Sequence, residues 1–127
     1  MSKKQFPQPT DGELEVLRIL WANGPSTIKE VHEIINQGRS TVYTTTLKVM
    51  QVMYEKGLLT RNDTKYRHIY TPAIPEEKTQ RQLVEDFLEK AFSGSTEKLL
   101  MQLFSAKKIS VKEHEKIRKM LDNIKGE

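Results

Sequence analysis

Residues 41–61, TVYTTTLKVMQVMYEKGLLTR, run a helix into a strand with one glycine at the junction. Thr46, Val49, Met50 and Met53 recur at i, i+3, i+4 and i+7, so they share one face of a helix predicted over Tyr43 to Lys56. Gly57 ends that helix. Leu58 to Asn62 and Tyr66 to Thr71 then read as two strands around the turn Asn62-Asp63-Thr64-Lys65, and Pro72 ends the second.

Two helices precede this unit. Thr10-Asp-Gly-Glu13 and Thr27-Ile-Lys-Glu30 each set a hydroxyl three residues before a glutamate, and Ser110-Val-Lys-Glu113 repeats the pattern later. The hydroxyl can accept from a free backbone N–H while the glutamate reaches back, so each marks a helix start. The first helix is predicted from about Asp11 to Ala22, with Leu14, Leu17, Leu20 and Trp21 on one face and Asn23-Gly24-Pro25 as its stop. The second runs from about Thr27 to Asn36, with Ile28, Val31, Ile34 and Ile35 turned inward.

Three helices followed by a two-stranded hairpin make a winged helix-turn-helix. The expected fold class is therefore mainly α with a small β-hairpin: a winged-helix DNA-binding domain at residues 1–74 and a helical dimerisation region at 75–127. The third helix of such a domain enters a major groove by its N-terminal residues. Thr44, Thr45, Lys48 and Gln51 fall on the polar face of that helix, with Tyr43 at its start. Threonine is a mediocre helix former, but its hydroxyl suits phosphates and base edges and its methyl suits thymine. Arg61, Lys65, Arg67 and His68 of the hairpin can reach the DNA backbone or a minor groove. Thr46 belongs to the core side of the helix, and Tyr70 to wing packing.

Charge agrees with a polyanion partner. Arg39, Lys48, Lys56, Arg61, Lys65 and Arg67 stand against only Glu55 and Asp63 between residues 39 and 70, which equals the whole chain's excess of +4. Beyond Pro75 the charges nearly balance, and apolar stripes take over. Leu83, Val84, Phe87, Leu88, Ala91 and Phe92 mark one helix, Leu99, Leu100, Leu103 and Phe104 a second, and Ile117, Met120, Leu121 and Ile124 a third. A helical appendage below about 60 residues buries little surface and is marginal by itself without a staple, a metal or a partner chain. Phe87, Leu88, Phe92, Leu103, Phe104, Ile117 and Leu121 are accordingly the expected homodimer interface.

The sequence argues against other classes. There is no cysteine, which excludes disulfides and thiolate metal sites and fits a cytoplasmic protein. The three histidines are scattered, so no metal site is expected. No nucleophile–base pairing or glycine-rich phosphate loop stands out, so neither an enzyme nor a cofactor is expected. The opening MSKKQFPQP has no apolar stretch behind its lysines and does not read as a secretory signal, and no apolar run is long enough for membrane insertion. The rival reading is a winged-helix protein–protein adaptor, in which the Leu83 to Phe92 stripe takes the partner.

The stretches TDGELEVLRILWANGPSTIKEVHEII and TTTLKVMQVMYEKGLLTR, the hairpin ending in YTP and the helical tail together resemble the penicillinase repressor family of BlaI and MecI. The likeness spans nearly the whole chain. It implies a homodimeric repressor of promoter DNA that binds an inverted repeat, with C-terminal helices forming the dimer. It also implies control by a membrane sensor protease, but such repressors are cut at an Asn-Phe bond and the matching position here is Gln102-Leu103. A copper-responsive branch of the family carries paired C-terminal cysteines, which this chain lacks.

Overall fold

The computed structural model describes residues 7–63, 67–106 and 109–125. The chain divides into two units, one ending at Leu83 and the other running from Val84 to Glu127.

The first unit contains α1 (Asp11–Asn23), α2 (Ile28–Gly38), α3 (Tyr43–Lys56), β1 (Leu59–Asp63), β2 (His68–Pro72) and the first half of α4 (Glu76–Phe92). Both expected capping boxes form. Thr10 Oγ1 accepts from Glu13 N–H at 3.2 Å while Thr10 N–H donates to Glu13 Oε1 at 3.0 Å. Thr27 and Glu30 repeat the exchange at 3.1 and 2.9 Å. Such a cap is worth about 1 kcal/mol. Gly57 closes α3 in the left-handed region (φ 86°), its N–H shared between the carbonyls of Met53 and Tyr54. The chain therefore turns out of α3 and into β1 with almost no spacer.

β1 and β2 pair antiparallel, Leu59 opposite Pro72 through Asp63 opposite His68. Pro72 thus carries the last pairing rather than lying beyond the strand; a terminal position makes no demand on the N–H that proline lacks. A third partner was not foreseen. Ser26, just before α2, bridges Tyr70, with Tyr70 N–H donating to Ser26 O at 2.8 Å and Ser26 N–H to Tyr70 O at 3.1 Å.

The core lies where α1, α2, α3 and the hairpin meet. Val16, Leu17, Leu20, Val31, Met50, Met53, Leu58 and Tyr70 are fully buried. Leu14 and Trp21 lie at its margin instead, and Trp21 Nε1–H donates to Ile74 O at 3.2 Å. Burying Met50 and Met53 contributes about 1.5–3 kcal/mol each, which fixes the rotation of α3 about its axis. Lys56, at the end of α3, donates to both oxygens of buried Glu13 at 2.7 and 2.9 Å. Burial alone pushes the Glu13 carboxyl up, but the Lys56 ammonium and the Thr10 hydrogen bonds outweigh it and hold the group below its ordinary value of 4.5.

The second unit contains the end of α4, then α5 (Thr96–Ala106) and α6 (Val111–Lys125). Ser93 and Gly94 close α4 with positive φ, and Gly94 N–H donates to Leu88 O at 3.0 Å. A Cβ at residue 94 would stand 2.9 Å from Glu89 Oε2. Ser110 and Glu113 form the third capping box. Phe87 and Phe92 meet edge to face at 5.5 Å. Among the described residues of this unit none is fully buried, and Phe87, Leu103 and Phe104 remain 55, 51 and 44% exposed. No described helix is long and apolar enough to cross a membrane.

Candidate nucleic-acid interface

α3 presents two opposed faces. Thr46, Met50 and Met53 are buried, so Thr44, Thr45, Lys48 and Gln51 must point away from the core, and all four are exposed. Glu55 lies two turns beyond Lys48 on the same face, so the positive character belongs to the first half of the helix. Tyr43 stands at the helix start, 44% exposed, its ring edge-on to His32 at 5.6 Å. His32 Nδ1 lies 3.0 Å from the buried Thr46 hydroxyl, which ties α2 to the first turn of α3. Val42, at the N-cap of α3, makes no side-chain cap, in contrast to Thr10 and Thr27. The first N–H groups of α3 are thus not taken by a capping side chain.

The hairpin flanks this face. A groove of about 420 Å³ opens between the start of α2, α3 and the hairpin, lined among others by Lys29, Tyr43, Gln51, Arg67 and His68. Arg67 is exposed. Arg61 is turned back onto the protein: its Nε lies 2.6 Å from Asp63 Oδ1, and its Cζ lies 4.3 Å from the centroid of the Tyr54 ring. Hydrogen bonding to Tyr70 and then to Asp63 raises its already high pKa. Asp63 Oδ1 also meets His68 Nδ1 at 2.8 Å across the hairpin. Lys65 lies outside the described residues.

Three helices, the last with a polar outer face, and a flanking hairpin make a winged helix. A model of the penicillinase repressor family matches residues 9–123. The chain belongs to that family.

Among its family relatives is the penicillinase repressor of Bacillus licheniformis, 25% identical over 97% of this chain and 96% of that protein. The transcriptional regulator BlaI of Mycobacterium tuberculosis is 28% identical over 91% of this chain and 85% of its own length. The solution structure of the Bacillus licheniformis BlaI monomeric form in complex with the blaP half-operator superposes with a TM-score of 0.52 at 27% identity, covering 59% of this chain and 92% of that one.

The fold thus brings Tyr43, Thr44, Thr45, Lys48 and Gln51 together on one surface, with Arg67 on the flanking hairpin. Two residues of this region escaped sequence reasoning. Lys29 enters the groove from α2, and His32 braces the first turn of α3. The signal for Lys29 was its place two residues after the capping Thr27, since the second helix of such a motif starts close to the groove. For His32 no local signal existed, because its partners lie 11 and 14 positions away.

Proposed function

We propose that this chain is a cytoplasmic DNA-binding transcriptional repressor that docks as a homodimer on an inverted-repeat operator in promoter DNA. Residues 1–74 form its DNA-binding domain and residues 75–127 its dimerisation region. The observation that carries this reading is the outer face of α3, where exposed hydroxyls, an amide and a lysine project from a helix start whose amides lack a side-chain cap. Such a start favours phosphate, and the side chains just after it suit base edges. Tyr43, Thr44, Thr45, Lys48 and Gln51 enter the major groove, and Arg67 of the hairpin meets the backbone. The similar BlaI structure, solved as a monomer in complex with a half-operator, supports DNA binding by this fold.

Burial supports the homodimer. The second unit has no fully buried described residue, while Phe87, Leu88, Phe92, Leu103, Phe104, Ile117 and Leu121 are half-buried or exposed. A second copy supplies the missing cover, and two-fold symmetry sets two recognition helices about one DNA turn apart, or a multiple of it. A sensor protease is not needed by this reading. Gln102-Leu103 lies inside α5, and a helical backbone must unwind before a protease can hold it extended.

Selection of bound duplexes from a random-sequence pool by the full chain tests the proposal. The expected result is enrichment of an inverted repeat whose half-sites are one helical turn, or a multiple, apart. A pool that stays random would leave the protein–protein adaptor as the better account.

A further inference from the structure

Arg61 invites assignment as a phosphate contact, since it is a cation on the wing. Its surroundings say otherwise. Its Nε is 2.6 Å from Asp63 Oδ1, its Nη2 donates to Asp63 Oδ2 at 3.4 Å, and its side chain is only 25% exposed. The guanidinium also stacks over Tyr54 at 4.3 Å. Tyr54 belongs to the last turn of α3, and its ring meets Tyr70 of β2 edge-on at 6.4 Å. Tyr70 lies opposite Arg61 in the hairpin register, is buried, and is paired through its backbone to Ser26. One planar cation therefore touches the end of α3, its own strand and the strand opposite.

We infer that Arg61 is a positioning residue, which clamps the hairpin against the last turn of α3 so that Arg67 reaches the DNA backbone. The inference rests on the DNA-binding reading above. The shape of the group matters more than its charge. A guanidinium can set one N–H on a carboxylate, as Nη2 does here while Nε only lies close to it, and lie flat on a ring at once, whereas a lysine ammonium is a compact, strongly hydrated point charge. Asp63 already offsets the charge of Arg61, so the residue adds little to the field that attracts phosphate. His68, which also faces Asp63, leaves that carboxylate fully engaged on the hairpin.

The test uses the full chain and the duplex that it selects, with affinity read by fluorescence anisotropy over a salt series. The variants are Arg61→Lys, Arg67→Ala, the two combined, and Tyr54→Leu. Thermal unfolding checks that each is folded. A phosphate-contacting Arg61 predicts that Arg61→Lys, which keeps the charge, binds within about twofold of wild type with an unchanged salt slope, because slope follows the number of phosphates neutralised. The positioning role predicts about a tenfold loss in Arg61→Lys, of the size that a lost contact produces. It also predicts a salt slope shallower by about 0.9, as if Arg67 itself had been removed. Arg67→Ala, costly in the wild type, should then cost nothing further in the Arg61→Lys background. Tyr54→Leu should reproduce the same pattern from the other side of the clamp. Additive losses in the double variant, or a wild-type slope in Arg61→Lys, would overturn the inference. Hydrogen exchange of the β1 and β2 amides in the free protein gives a reading that needs no DNA. Faster exchange in Arg61→Lys and Tyr54→Leu supports the clamp, and wild-type rates in both refute it. If the wild type selects no duplex, the DNA reading fails on its own while the exchange result still stands.

Discussion

Removing the ammonium of Lys56 should change both the stability of the N-terminal unit and its response to acid. Glu13 is 5% exposed and serves two partners: the Thr10 amide at the start of α1 and Lys56 Nζ at the end of α3. Lys56→Met keeps the aliphatic stem and deletes the charge. Breaking a fully enclosed pair costs about 3–5 kcal/mol, because the remaining charge has no partner. The Lys56 side chain is 32% exposed, so water already screens the pair, and about 2 kcal/mol is the better expectation. Urea unfolding of the full chain at fixed concentration measures it as a shift in midpoint at constant slope. Adding Glu13→Gln to Lys56→Met should recover part of the loss, since the amide can still accept from Thr10 N–H and leaves no buried charge. The pH dependence carries a separate sign. In the wild type the folded Glu13 pKa lies below its unfolded value, so the pair's contribution is complete above about pH 4.5 and is lost as pH falls through the folded value. Without Lys56, burial works against fewer lowering hydrogen bonds, so acid loss near pH 4 should flatten or reverse. An Lys56→Met variant with the wild-type stability and the wild-type acid slope would refute the account of this pair.

Three further outcomes follow from the site. If roughly 6 phosphates are neutralised by the dimer, log K for the operator should fall with log salt at a slope of about −5, and a flat response in a salt titration removes the electrostatic argument. Lys48→Ala and Thr45→Ala, on the exposed face of α3, should each weaken operator binding by about 1–3 kcal/mol without lowering the unfolding midpoint, as anisotropy and thermal melts together will tell. Phe104→Asp should give monomers by sedimentation at micromolar concentration, with weak DNA binding and an intact N-terminal unit; a wild type that sediments as a monomer near 14.8 kDa would sink the dimer and the palindromic operator with it.

Local signals were legible, and contacts between distant residues were not. The three hydroxyl–glutamate pairs each form the expected cap, because a capping box is written within four residues. α3 spans Tyr43 to Lys56 as its apolar period and Gly57 indicated. On α1 the expected face of Leu14, Leu17, Leu20 and Trp21 holds at Leu17 and Leu20, which are fully buried, while Val16 is buried in place of the marginal Leu14 and Trp21, since the core is set by what α2 and α3 bring against the helix. The outward threonines and Lys48 could be placed by helical periodicity alone. The inward turn of Arg61 could not, because Tyr54 precedes it by a turn and a strand junction and Tyr70 lies nine residues beyond. Ser26 gave no hint of strand character, for its pairing with Tyr70 exists only once the hairpin has folded back on the start of α2.

The single glycine between α3 and β1 sets where such a protein can be re-engineered. Strand residues alternate faces, so one residue inserted beside Gly57 would exchange the sides of Thr60 and Arg61 and turn Leu59 out of the core. The junction therefore behaves as a keyed joint that accepts no change of length. Asp63 and His68 close the far end of the described ladder. A library meant to retarget the operator should hold the joint fixed and vary the outer face of α3.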